Sequence, residues 1–363
     1  MPTCRASRAC SCRIWAASTS TKQSALKSRA TDTLALSSTG AALPETTDDE
    51  IAPGLHAALS AIPDFDALDA TTLGSFRAAL RGGPVDLNGD KDVSVELTVA
   101  LGRDGHRVPC ILHRPRAVTA SAPVILNIHG GGYVVGDAAR EAPAMSALAT
   151  ATGCAILSVD YRLAPDTPFP GALDDCTAAL HWLIDEADKL RIDRNRIAIR
   201  GVSAGGGLAA GLMLRCLPTL DVSPCLLMLI YPMLDHRASP PDRMGQHVWT
   251  RRANQFGWQS YLGSNLEHAP SPEASPALAE DLTGFPPTFL AVGDIDLFLD
   301  ENLSFASRLA RSQVGLEMHV YRGGYHGFNL VPDAPISEAF ARDCMAAIVR
   351  AFGQAAPSPS SQE

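Results

Sequence analysis

The chain has 363 residues, 46% of them hydrophobic and 19% charged, with a formal net charge of −9. That composition excludes a disordered tail or a collagen-like fibre, since both lack the apolar surface for a core. No stretch of about 18 uncharged apolar residues is present, so no integral membrane helix is expected, and the acidic balance argues against nucleic acid as a partner.

The first segment stands apart. Up to Thr31 it carries Arg5, Arg8, Arg13, Lys22, Lys27 and Arg29 and no acidic residue, amid Ser, Thr and Ala. That pattern fits an organelle transit peptide; a disordered leader or an over-extended start to the chain is the competing reading. Residues 1–45 are set aside as this leader. The chain has nine cysteines. Cys4, Cys10 and Cys12 fall in the leader, and Cys110, Cys154, Cys176, Cys216, Cys225 and Cys344 are dispersed through apolar stretches. No CxxC pair occurs, so neither a zinc site nor a redox motif is indicated. Buried thiols in a reducing compartment are expected, which places the protein in the cytoplasm, or in the mitochondrion if the leader targets it.

From Asp48 to Leu80 the spacing of Leu55, Leu59 and Ile62, then of Leu73, Phe76 and Leu80, predicts two amphipathic helices separated by Pro63. Val93–Ala100 and Val108–His113 alternate around a Gly-Arg-Asp-Gly turn and read as an antiparallel hairpin. Apolar runs at Val124–His129, Cys154–Asp160, Ile197–Val202, Leu226–Tyr231, Thr288–Val292 and Leu316–Tyr321 read as six further strands. Helical patterns at Ala142–Thr152, Leu173–Leu190, Ala204–Leu217, Asp300–Ser312 and Ile336–Phe352 alternate with them. Eight strands, most of them continuous apolar runs between helices, predict an α/β fold with a mostly parallel sheet covered on both faces. His236–Glu280 breaks the rhythm with Trp249, Phe256, Trp258, Tyr261 and several prolines. It reads as a helical insertion above the sheet, its aromatic residues forming a small core in preference to a pocket lining. The tail 354–363 is polar and expected to be disordered.

Gly201-Val202-Ser203-Ala204-Gly205 is a G-x-S-x-G pattern between a strand and a helix. Such an elbow holds the serine in a strained backbone with its hydroxyl at the top of the sheet. Gly201 and Gly205 are needed because a Cβ there would clash with the neighbouring elements. The competing reading is a tight helix start with Ser203 as its N-cap. Upstream, His129-Gly130-Gly131-Gly132 follows a strand, and its glycines free backbone N–H groups to converge on one point. Attack of a serine on a carbonyl develops a negative oxygen, and each prearranged donor is worth about 3 kcal/mol of barrier. The donors expected are the N–H groups of Gly131, Gly132 and Ala204.

A serine hydroxyl needs a base. His326 follows a late strand among glycines and suits that role better than the other histidines. A base needs an acid to hold its tautomer. Gly293-Asp294-Ile295-Asp296 follows the preceding strand, and either carboxylate fits; Asp300 is read as the N-cap of the next helix. The order Ser203, then the acid, then His326 is the α/β-hydrolase order.

At this point the chain resembles the hormone-sensitive-lipase-like esterases, also called bacterial family IV carboxylesterases. The matching stretches are HGGGYVVG at His129, DYRLAPD at Asp160, GVSAGG at Gly201, DLFLDEN at Asp296 and YHGF at Tyr325. The resemblance implies the α/β-hydrolase fold over residues 46–353, with a helical cap from 46–85 and 236–280. It selects Asp296 over Asp294, because the family's acid opens a D-P-L-x-D-E pattern. Val202 stands where the family often has Asp, Leu297 where Pro is usual, and Asp166 where Glu is usual.

The function expected is a serine hydrolase of short- to medium-chain carboxylic esters, acting through an acyl-enzyme and needing no metal or organic cofactor. Deacetylase, lactonase and amidase activities use the same triad. A second reading is a small-molecule receptor, as in the similar gibberellin receptors; those lose the catalytic histidine, and His326 is present. A third is a lyase like the isoflavanone dehydratases, where threonine is the usual nucleophile. The partner expected is a small-molecule ester, and the last helix is a candidate surface for a homodimer.

Overall fold

The computed structural model describes residues 50–87, 91–102, 105–117, 121–241, 243–263 and 270–353. The leader with Cys4, Cys10 and Cys12, part of the Gly-Arg-Asp-Gly turn, His268 and the tail lie outside the described residues. In chain order the helices are α1 (His56–Leu59), α2 (Leu73–Leu80), α3 (Ala138–Thr152), α4 (Gly171–Asp185), α5 (Ala187–Leu190), α6 (Ala204–Cys216), α7 (Arg251–Leu262), α8 (Leu299–Arg311) and α9 (Pro335–Gly353). The strands are β1 (Val93–Leu101), β2 (Arg107–Pro115), β3 (Ala122–Ile128), β4 (Ala155–Val159), β5 (Ile192–Val202), β6 (Leu226–Ile230), β7 (Thr288–Gly293) and β8 (Leu316–Tyr321).

All eight strands join one sheet in the order β1-β2-β4-β3-β5-β6-β7-β8. β2 runs antiparallel to β1 and β4, and every other pairing is parallel. The central strands β4 and β6 are buried at every residue. A strand covered on both faces needs apolar side chains on both, which is why these segments read as continuous runs. Alternate residues serve two cores. Leu126, Ile199, Leu229 and Leu290 pack with α4, α6 and α8, whereas Ile125, Ala198, Met228 and Phe289 pack with α3 and α9.

Register carries the functional geometry. Ile128 at the end of β3 pairs with Gly201 near the end of β5. The glycine loop and the serine elbow therefore leave the sheet side by side, at the point where the strand order reverses. Likewise Gly293 pairs with Tyr321, so the loops carrying Asp296 and His326 emerge together.

The structure corrects several expected boundaries. The first amphipathic helix shrinks to the single turn α1, because Pro53 and Gly54, the latter at φ +89°, interrupt it upstream. The α3 helix begins four residues early, where the Asp137 side chain accepts from Arg140 N at 2.8 Å. The helix read over Leu173–Leu190 is two, α4 and α5, divided at Glu186. The insertion is helical only in part: besides α7 it holds a 3-10 turn at Pro276–Leu278 and otherwise irregular chain among its described residues. Asp300 does not cap α8; Phe298 occupies the N-cap position and Asp300 lies in the first turn.

The N-terminal segment is fastened to the body by side chains. Arg77 on α2 donates to Val134 O at 2.9 Å and Ala164 O at 2.8 Å, and pairs with Asp166 at 2.6 Å. It also meets the insertion, with the Phe65 and Trp249 rings 5.6 Å apart and Thr250 Oγ1 donating to Asp66.

Candidate active site

Ser203 sits between β5 and α6 at φ 55°, ψ −119°. A non-glycine residue there costs about 1–3 kcal/mol and persists only when its surroundings over-determine it. They do so here. Ser203 N donates to Ile230 O at 2.9 Å, and Ser203 O accepts from the N–H groups of Gly206, Gly207 and Met233. A Cβ on Gly205 would lie 2.2 Å from Ile128 O, and one on Gly201 would lie 2.2 Å from Gly205 O. Both glycines are there because backbones meet, as expected.

His326 faces the serine from the loop after β8. Its Nε2 is 2.9 Å from Ser203 Oγ and its Nδ1 is 2.9 Å from Asp296 Oδ2. Asp296 is fully buried and its other oxygen accepts from Phe298 N at 2.9 Å. With a carboxylate accepting the hydrogen bond from Nδ1–H, Nε2 is the acceptor for the serine hydroxyl. Asp294 is directed elsewhere: its Oδ1 accepts from Gly323 N at 2.6 Å and braces the histidine loop. The same loop is clamped by the N-terminal segment, since Ala52 N donates to Gly323 O at 3.0 Å and Tyr325 OH donates to Leu55 O at 3.2 Å.

The glycine loop has positive backbone angles, with φ +123° at Gly131 and +56° at Gly132. Among the described residues no backbone carbonyl takes the N–H of Gly131 or Gly132. Ala204 opens α6, and the first N–H of a helix has no intrahelical acceptor. Gly130 lies against the elbow: a Cβ there would be 3.4 Å from Ser203 Cβ. His129 is buried and engaged by its neighbours. Its Nδ1 donates to Gly130 O at 2.8 Å, its ring stacks on Tyr161 at 4.1 Å, and Tyr161 OH donates to its carbonyl at 2.9 Å.

A cavity of about 1330 Å³ opens over Ser203. Ile62, Phe65, Val248 and Trp249 form an apolar wall, while Glu141, Arg200 and Tyr231 line a polar side. The insertion's aromatics thus divide. Trp258 and Tyr261 pack with Tyr133 in the core, as expected, but Trp249 lines the cavity and its ring is where a Cβ on Gly132 would fall, at 2.0 Å. Among the described residues no cluster of metal-ligating side chains is found, and no helix is long and apolar enough to cross a membrane.

Three contributors are not singled out by the sequence reading. Tyr231, at φ 35°, packs edge-on against the His326 ring at 4.5 Å. Its place at the end of β6, between the serine and acid strands, is the signal that could have found it. Arg200 precedes the serine by three residues in β5. Glu301 is buried, accepts from Leu234 N at 2.7 Å, and its carboxyl is pushed well above the usual carboxylate range by burial. It ties α8 to the segment that also holds the Ser203 carbonyl.

A buried serine, histidine and aspartate in series at the carboxyl ends of a mostly parallel sheet define a serine hydrolase architecture. Comparison with known proteins agrees. A sequence profile for the α/β hydrolase fold matches residues 125–330. The ethyl acetate hydrolase of Pseudomonas putida is 31% identical over 257 residues, covering 69% of this chain and 79% of that protein. The carboxylesterase NlhH of Mycobacterium tuberculosis is 30% identical over 317 residues, covering 84% and 97%. The structure of a bacterial heroin esterase superposes with a TM-score of 0.77 at 36% identity, covering 85% of this chain and 99% of that one. The chain belongs to the α/β-hydrolase family, and its resemblance to the hormone-sensitive-lipase-like esterases stands.

Proposed function

We propose that the protein hydrolyses small carboxylic esters through an acyl-enzyme on Ser203. The unbroken series from Asp296 through His326 to Ser203, at 2.9 Å per link, carries the reading. His326 Nε2 takes the Ser203 proton as Oγ attacks the carbonyl carbon. The N–H groups of Gly131, Gly132 and Ala204 receive the oxyanion. The tetrahedral adduct collapses as His326 gives the proton to the leaving alcohol. Water then enters, loses a proton to His326, and releases the acid while Ser203 is reprotonated. Asp296 keeps the imidazole oriented and stabilises its cation.

The cap proposed over 46–85 and 236–280 favours short or medium acyl chains over emulsified fat. The six cysteines among the described residues are free thiols, five of them buried, and this supports a cytoplasmic setting. Pairing of two copies through α9 is part of the same reading, and sedimentation would check it. The direct test is hydrolysis of p-nitrophenyl acetate, butyrate, octanoate and palmitate by the protein and by Ser203→Ala. Turnover of the short esters that vanishes in the variant is expected. Turnover that survives in the variant would overturn the proposal.

A further inference from the structure

The polar side of the cavity is a built feature that the triad does not use. Arg200 points from β5 beneath α3, with 13% of its side chain exposed. Its Nη1 donates to Asn127 Oδ1 at 2.5 Å. Asn127 is fully buried, and its Nδ2 donates to Glu141 Oε2 at 2.8 Å. Both ends of the amide are thereby engaged, so the guanidinium is held from behind in one place. Glu141 Oε2 lies 3.7 Å from Arg200 Nη1, an ion-pair distance beyond that of a good hydrogen bond.

A guanidinium carries five N–H donors in a rigid fork. Asn127 takes one of them. The side chain keeps 13% exposure and the residue lines the cavity, so a ligand there can reach the remaining donors. Nearby, Tyr231 OH donates to Asn329 Oδ1 at 2.6 Å, so this end of the cavity is walled by fixed polar groups. An alkyl chain laid here would desolvate an arginine without answering its donors, which is unfavourable. A carboxylate would accept two of them at once. The residue next to the nucleophile is the apolar Val202, so no acid at that position competes for Arg200 or repels an incoming anion.

The acyl group stays bound to Ser203 while the alcohol departs, and departure needs the open mouth. Buried Tyr231 and Met145 in the lining beside Arg200 suit it to the group that stays.

Resting on the ester-hydrolase reading above, we propose that Arg200 determines specificity by receiving an oxygen acceptor at the far end of the acyl chain, so that half-esters of dicarboxylic acids are favoured substrates. Glu141 tempers this preference as the opposing charge.

The test compares p-nitrophenyl half-esters of glutaric, adipic and suberic acids with neutral p-nitrophenyl esters of the same chain lengths. The readout is the ratio of kcat/KM between each pair. Arg200→Met should lower that ratio by at least about tenfold for one of the lengths, with Arg200→Lys intermediate because it keeps the charge and loses the fork. Glu141→Gln should raise it. Calorimetric binding of the intact half-esters to Ser203→Ala, alone and combined with Arg200→Met, gives the same comparison without turnover, and the single variant should bind the half-ester more tightly. Ratios and affinities that do not respond to either residue would overturn the role of Arg200 while neutral-ester turnover left the hydrolase reading intact. Absence of turnover on every ester would overturn the hydrolase reading, and the binding comparison would still decide the site.

Discussion

Three serine–histidine contacts of nearly equal length occur among the described residues, one of them His236 Nδ1 to Ser275 at 3.0 Å, and the other two make a useful pair. His326 Nε2 meets Ser203 at 2.9 Å at the rim of the sheet, and His113 Nδ1 meets Ser146 at 3.0 Å between β2 and α3. In the first, the second ring nitrogen faces a buried carboxylate; in the second, His113 Nε2 is buried without a hydrogen-bond partner. Ser203 occupies a strained elbow beside glycine N–H groups, whereas Ser146 lies inside a regular helix. Burial pushes the His113 imidazole down to about 4, so it resists taking a proton at all. Proximity of a hydroxyl to an imidazole is therefore cheap. What is rare is the third group that fixes the tautomer and the donors that await the oxyanion.

That contrast can be broken most forcefully at the serines. Ser203→Ala is expected to cut ester kcat by about 10⁴- to 10⁶-fold, while Ser146→Ala stays within about threefold. Equal losses from both would end the distinction. Asp296→Asn should cost about 10⁴-fold with unchanged circular dichroism, because the amide leaves the imidazole in the wrong tautomer. Gly132→Ala should lose about 10²- to 10³-fold by displacing a donor, and Trp249→Leu in the same chain should recover part of it by clearing the ring.

The His113 pair predicts stability rather than rate. Its imidazole binds a proton near 6.5 when unfolded and near 4 when folded. Between those values the unfolded chain holds more protons, so stability falls as pH falls from about 6.5 to 4, by about 3 kcal/mol in all. Urea midpoints at pH 7 and pH 4.5 should differ less in His113→Phe than in the parent. The smallest effect expected is at Arg77. Arg77→Met should destabilise by about 2 kcal/mol through three lost charge-assisted contacts, raising KM more than it lowers kcat.

The sheet and the rim were largely legible in the sequence, because both rest on local rules. Continuous apolar runs mark β4 and β6, and Gly201, Gly205 and Gly132 mark places where backbone or ring atoms leave no room for a Cβ. Choosing between Asp294 and Asp296 was beyond spacing alone. Both lie in one loop; the family resemblance selected Asp296, and the fold supplies the reason, since Asp296 turns to His326 and Asp294 to Gly323. The polar floor was illegible for a related reason. Arg200, Asn127 and Glu141 come from three separate elements, and each looks unremarkable in its own stretch. The insertion was half legible: its bulk read as core, but the turn of Trp249 toward Gly132 depends on contacts across a hundred residues of chain.

The clamp between residues 52–55 and the histidine loop has a practical meaning for anyone shortening the chain. Cutting away the first 45 residues leaves Ala52 and Leu55 in place, with their bonds to Gly323 and Tyr325. Cutting ten residues further removes two tethers from a loop almost three hundred positions distant, and the base would swing on a slackened hinge. Enzyme trimmed to that second boundary should keep its sheet and lose its rate without the loss of a catalytic side chain.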